Sequence, residues 1–157
     1  MEAVSKLLVY ETTNVEETIK LGEIVGRKCV GNEVFALMGD LGTGKTQFAK
    51  GVAKGLGVPE NEVSSPTFVI SQLHTKGRLP FIHIDLYRLP SEAELDDLGW
   101  FDFVRMGGVI LVEWAEKIKH LLSPEDTVFI TLDYSGDEKR VLKISFMERF
   151  GYLFSGI

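Results

Sequence analysis

The chain has little of several things, and each shortage closes off a class of protein. It has one cysteine, Cys29, so an internal disulfide and a cysteine-built zinc site are both ruled out. Lying in an apolar helical pattern, Cys29 is expected to be a small buried side chain. Long hydrophobic runs are missing too. The longest, Val34–Met38, has five residues, against the roughly 20 a membrane helix needs. Met1–Lys6 offers no basic stretch leading into an apolar core, so no signal peptide is expected. Positive charge is in deficit: 17 Lys and Arg against 23 Asp and Glu leave a net charge of −6. That balance argues against wide phosphate-backbone binding by this chain alone. It still allows service in a complex whose other subunits hold the nucleic acid. No internal repeat, low-complexity tract or linker stands out among the 157 residues. The composition, 45% apolar and 25% charged, is that of one cytosolic globular domain spanning 1–157.

The elements alternate. Lys6–Tyr10 reads as a short strand. Thr13 with Glu16, or Asn14 with Glu17, supplies helix-start chemistry. Val15, Ile19, Gly22, Val25 and Cys29 then recur at helical spacing up to a stop near Gly31. Glu33–Met38 is a nearly continuous apolar run of the kind found in strands covered on both faces. Phe48, Val52 and Leu56 form the next helical stripe, ended by Gly57 and Pro59. Thr67–Thr75 and Leu79–Tyr87 are expected as two strands joined at Lys76-Gly77. Ser91 to Glu94 is a capping box for a short acidic helix stopping at Gly99. Gly108–Val112 is a buried strand, and Thr127–Tyr134 with Arg140–Phe146 forms a closing hairpin. The tail Phe150–Ile157 is aromatic and is expected to dock on the body rather than stand exposed. The sum is an α/β, P-loop NTPase-like three-layer domain, with a mostly parallel central sheet and antiparallel edge strands.

Between the second strand and the second helix stands GDLGTGKT, Gly39 to Thr46, a full match to GxxxxGK[ST]. Gly39, Gly42 and Gly44 permit positive φ and close approach. The backbone N–H groups of Asp40, Leu41, Thr43 and their neighbours can therefore converge on phosphate oxygens. The helix start adds its dipole. Lys45 is expected to neutralise the β- and γ-phosphates, and the Thr46 hydroxyl to ligate Mg²⁺.

A metal-bound triphosphate also needs carboxylates nearby. Val109–Val112 followed by Glu113 has the Walker B form, and Phe81–Ile84 runs into Asp85. Both acids fall at strand ends, where the ligand crevice of an open α/β sheet lies. In Val63–Phe68, Pro66 holds Ser65 extended and would present Thr67 for contact with Mg²⁺ or the γ-phosphate. Trp114 is either core or a contact over the nucleotide. Glu92, Glu94, Asp96 and Asp97 are read as a solvated helix face, and His83 as a satisfied structural histidine. No N-K-x-D segment occurs, which favours ATP over GTP.

GDLGTGKTQFAKGVAKGLGV, VSSPTF, HIDLYRL, ELDDLG and VEWAEKI follow one another in this order, spread over Phe35–Ile118. Together they resemble the TsaE (YjeE) family, small ATPases of tRNA threonylcarbamoyladenosine biosynthesis. The resemblance implies an ATP-binding, weakly hydrolysing subunit that works with TsaD and TsaB and meets tRNA only through that complex, with no membrane role. It places Lys45 and Thr46 on the family's P-loop lysine and magnesium threonine. Thr67 falls on its switch-like threonine, Asp85 on the acid of its DLYR strand, and Glu113 with Trp114 on its EW pair. Gln47, Ala115 and the Trp100–Phe103 stretch depart from the usual pattern.

The mechanism expected is an ATP-driven switch, with Glu113 activating water and Asp85 ligating the metal, although the sequence does not separate these roles. Turnover alone should be slow, since no arginine is clearly placed as a finger and Arg88 is the nearest. A regulatory ATP-binding module without hydrolysis and a small-molecule P-loop kinase are the competing readings.

Overall fold

The computed structural model describes residues 5–40, 42–59, 62, 71–88 and 99–157. Leu41, Thr67 with the rest of the Ser65-Pro-Thr segment, and the acidic Ser91–Asp97 stretch lie outside the described residues.

The first strand, β1 (Ser5–Thr12), leads into helix α1 (Val15–Lys28). Of the two possible caps, Asn14 is the one used. Its side chain accepts from the Glu17 N–H at 2.8 Å, and the Glu17 carboxylate accepts from the Thr13 N–H at 2.6 Å. Strand β2 (Val34–Met38) feeds the glycine loop and then α2 (Lys45–Gly55). Beyond these come β3 (Ser71–His74), β4 (Phe81–Asp85), a short helix α3 (Trp100–Arg105), β5 (Val109–Glu113), β6 (Thr127–Tyr134) and β7 (Arg140–Met147). No described helix is long and apolar enough to cross a membrane.

All seven described strands form one sheet in the order β1-β7-β6-β2-β5-β4-β3. The centre, β6-β2-β5-β4, is parallel throughout, and antiparallel pairing is confined to β1–β7, β7–β6 and β4–β3. This is the mixed α/β sheet expected from the alternating pattern. Side chains of the central strands are buried on both faces. Phe35, Leu37, Phe81, Val109, Leu111 and Ile130 join the core beneath α1 and α2. Ala36, Ile82, Ile84, Ile110 and Val112 join a second core with Ala115, Ile118 and Leu122, against which Trp100 and Phe103 of α3 pack.

Helix α2 is held on the sheet by unusually close contact with α1. Added Cβ atoms would lie 2.4 Å from Phe48 O at Gly22, 2.1 Å from Ile19 O at Gly51 and 2.3 Å from Glu23 O at Gly55. The obstacle each time is a backbone carbonyl, which cannot turn aside as a side chain can. Four glycines, Gly22 and Gly26 facing Gly51 and Gly55, thus let two backbones touch. Glycine inside a helix costs roughly 0.5–1 kcal/mol relative to alanine, and here the loss permits the approach. The position of the helix that begins at Lys45 is fixed by this contact.

The aromatic tail docks as expected. Phe150, Leu153 and Phe154 are buried in the α1/α2-side core, with Phe154 4.8 Å from the Phe146 ring. Helix α3 is an addition. The sequence around Trp100–Phe103 shows no helical stripe, because apolar residues fall on its exposed side too: Phe101 is 68% exposed.

Candidate functional site

The loop from Gly39 to Gly44 is tied to itself. The Thr43 hydroxyl donates to Asp40 O at 2.8 Å, and the Thr43 N–H to the same oxygen at 3.3 Å. Gly39, with φ +140°, passes so near β6 that a Cβ would lie 2.4 Å from Leu132 O. Gly44, with φ +103°, is the N-cap of α2. Having no side chain, it cannot satisfy the first-turn N–H groups itself. Those groups and the dipole behind them are the parts from which an anion site is built.

Lys45 lies back across the loop. Its ammonium donates to Gly39 O at 2.5 Å and Asp40 O at 2.8 Å, and stands 4.2 Å over the Trp114 ring centroid. Burial, the largest influence, pulls its pKa below the ordinary lysine value, while the charges of Glu113, Glu116, Asp85 and Asp40 resist that. Trp114 occupies the left-handed region at φ +60°, an uncommon backbone state for a bulky residue. Its ring meets Tyr87 at 5.0 Å. It therefore stands over the loop lysine rather than in the deep core.

The two acids come together by strand arithmetic. In β4, Phe81, His83 and Asp85 share a face, and in β5 so do Val109, Leu111 and Glu113, because side chains alternate with period two. Phe81, Val109 and Leu111 belong to the α2-side core, so His83, Asp85 and Glu113 face α2. Parallel pairing sets Asp85 directly beside Glu113. Glu113 is 2% exposed. Its Oε1 accepts from the Thr46 hydroxyl at 2.9 Å, and its Oε2 lies 2.5 Å from His83 Nε2. Asp85 is less enclosed, and its Oδ1 accepts from the Tyr87 N–H at 3.0 Å. Burial raises the Asp85 pKa, the Tyr87 hydrogen bond opposes the rise, and the neighbouring Glu113 adds to it.

Thr46 Oγ1 and the carboxylates of Asp85 and Glu113 are hard oxygen donors. Mg²⁺ takes such groups one or two carboxylates at a time, with phosphates and water completing its shell. Among the described residues, no group of three or more His, Cys, Asp or Glu side chains gathers as a dedicated metal cage. The donor set therefore suits Mg²⁺ delivered with a phosphate chain better than a resident zinc.

The sequence reading missed the part played by three residues. Glu116 Oε2 accepts from the Gly39 N–H at 3.2 Å, which puts a third carboxylate at the loop. Arg140 donates to Gly42 O at 3.1 Å and stacks 4.6 Å over the Tyr134 ring. Arg140 at the start of β7 thus reaches the loop, and Arg88 lies exposed beyond β4. His83, read as merely structural, touches Glu113. Its position two residues before Asp85 on one strand face was the available signal. Glu116 and Arg140 gave none, since their approach depends on which strands neighbour β2.

Comparison with known proteins supplies the family. A family model described as threonylcarbamoyl adenosine biosynthesis protein TsaE matches residues 12–142. The chain is 41% identical over 135 residues to the tRNA threonylcarbamoyladenosine biosynthesis protein TsaE of Bacillus subtilis, covering 86% of this chain and 83% of that one. It is 39% identical over 132 residues to the TsaE of Treponema pallidum, covering 84% and 96%. The crystal structure of Bacillus subtilis YdiB superimposes with a TM-score of 0.77 at 33% identity, over 96% of this chain and 93% of that one. With the family model spanning most of the chain and relatives this similar along nearly their whole length, the chain belongs to the TsaE family.

Proposed function

We propose that this protein is a P-loop ATPase subunit of tRNA threonylcarbamoyladenosine biosynthesis, slow on its own. In this reading it switches the TsaB–TsaD complex in the cytoplasm according to its bound nucleotide. The pathway is the one its family and relatives are named for. The observation that carries the nucleotide chemistry is the bond from the Thr46 hydroxyl to Glu113. It joins the phosphate loop to the acid at the end of the neighbouring strand. A loop that was only a turn would have no need of that link.

When bound with ATP, Mg²⁺ would neutralise charge on the β- and γ-phosphate oxygens. The rest is work for the chain itself. The N–H groups at the start of α2 receive the phosphates, and Lys45 is close enough to turn from the loop carbonyls to them. Glu113 takes the proton of the Thr46 hydroxyl in a hydrogen bond and so turns that oxygen's lone pairs outward. Both Glu113 oxygens are already engaged, one by the Thr46 hydroxyl and the other by His83 Nε2. This favours Glu113 as the anchor of the Thr46 side. Asp85, whose carboxylate accepts from the Tyr87 N–H at Oδ1, is then left to take the proton of attacking water. The division is the reverse of the one expected from sequence, and it rests on the hydrogen bonds alone. Trp114, with Tyr87 against its ring, covers the lysine.

The test is phosphate release from Mg-ATP by the full chain, alone and then with TsaB and TsaD. Slow release that rises when the partners are added is expected. No release under either condition would reduce the protein to a regulatory binding module, and release only with a small-molecule acceptor would make it a kinase.

A further inference from the structure

Glu113 is a buried carboxylate with three rotatable side-chain bonds, yet it must keep one oxygen on Thr46. Its second oxygen lies 2.5 Å from His83 Nε2. A carboxylate can only accept, so Nε2 carries the hydrogen. His83 is wholly buried, and its other ring nitrogen, Nδ1, has no hydrogen-bond partner among the described residues. The ring stacks on Phe81 at 6.0 Å, a contact that a phenylalanine would make as well. Burying an unpaired nitrogen is costly, so packing alone favours an apolar residue here. Among the described residues, the polar contact His83 makes is with Glu113, and Asp85 follows two residues later on the same strand face.

We propose that His83 is a positioning residue for the phosphate-loop chemistry, its Nε2–H holding Glu113 Oε2 so that Oε1 remains on the Thr46 hydroxyl. This rests on the reading of the loop as a Mg-nucleotide site. Without the donor, Glu113 keeps a buried unpaired oxygen and gains by swinging toward any other donor. The Thr46 hydroxyl then loses its fixed orientation. Residues that orient a metal's ligands typically change affinity or activity by about 10- to 100-fold when removed.

His83→Leu removes the donor, and His83→Gln restores one near the Nε2 position. The first measurement is the Mg²⁺ concentration that half-maximally tightens ADP binding, followed by Trp114 fluorescence. The second is kcat against KM for ATP. His83→Leu is expected to raise the Mg²⁺ requirement and lower kcat by about tenfold or more each. KM should stay near wild type. His83→Gln should recover most of both losses. A folded His83→Leu with wild-type Mg²⁺ dependence overturns the proposal, as does His83→Gln as impaired as His83→Leu.

If His83→Leu does not fold, the nitrogen-15 spectrum of the wild-type imidazoles decides. The chain has three histidines, so the His83 Nε2–H resonance can be assigned. It must move in Glu113→Gln, and an unmoved resonance overturns the contact. Wild-type protein that binds no ADP with Mg²⁺ would instead remove the nucleotide reading itself, and the role of His83 with it.

Discussion

Two glutamates are buried at opposite ends of the sheet, and they are held by different kinds of donor. Glu33, fully buried, stands just before β2. It accepts from the backbone N–H groups of Val30 and Gly31 at 2.6 and 2.7 Å, and from the Tyr152 hydroxyl at 2.7 Å. Glu113 closes β5 and, among the described residues, is held by two side chains, Thr46 and His83. A buried carboxylate costs several kcal/mol unless it is answered by hydrogen bonds, and both are answered. Backbone donors cannot leave without refolding the loop they belong to, so Glu33 fastens the α1–β2 turn and the tail. Side-chain donors can turn, and one of Glu113's, Thr46, stands in the first turn of α2 beside the glycine loop. Burial alone does not tell these two acids apart; the identity of their donors does.

The widest separation between the two should appear in hydrolysis. Glu113→Ala is expected to lower phosphate release by about 100-fold or more while nucleotide still binds. Asp85→Asn should lose turnover at an unchanged Mg²⁺ requirement, whereas Glu113→Ala should also raise that requirement. Wild-type release from Glu113→Ala would sink the site as described. An Asp85→Asn protein needing more Mg²⁺ would return the metal to Asp85 and the water to Glu113.

Glu33→Ala should act on stability. It strips two backbone N–H groups and a phenol of their acceptor, at about 3 kcal/mol in total. For a chain of this size that is a fall in Tm of about 6–12 °C. Phosphate release per folded molecule should be unchanged. If it dropped along with Tm, the two ends of the sheet would not be separable in this way.

The local rules were legible wherever the answer is local. Alternation in β4 and β5 set Asp85 and Glu113 at strand ends, and the glycine spacing marked the loop. Asn14 and Glu17 stood ready as a cap. What could not be read depends on neighbours far along the chain. The Arg140 contact with Gly42 O requires β6 to lie beside β2 and β7 beside β6. The glycine contact of α1 with α2 requires two helices to cross at Gly22 and Gly51, and only Gly22 was in the stripe seen from sequence. Glu33 began an apolar run and gave no hint of three donors, one of them 119 residues later.

That distant donor provides the smallest test of the comparison. Burial raises the Tyr152 pKa above the ordinary phenol value, and the hydrogen bond to Glu33 raises it further, since the bond requires the proton. The native phenol thus keeps its proton after the unfolded one has begun to lose it, near pH 10. Native protein then binds more protons than unfolded protein, so this contribution to stability is complete below about pH 10 and declines above it. Tyr152→Phe removes the hydrogen bond and the titration together. It should cost about 1 kcal/mol at neutral pH, because the residue is partly exposed. Chemical denaturation of both proteins from neutral to alkaline pH measures the gap directly. Tyr10, whose pKa burial also raises, titrates alike in both and cancels. A gap that narrows above about pH 10 is the expected result. A constant gap would mean that Tyr152 holds the tail by packing alone, and that Glu33 is answered by backbone donors only.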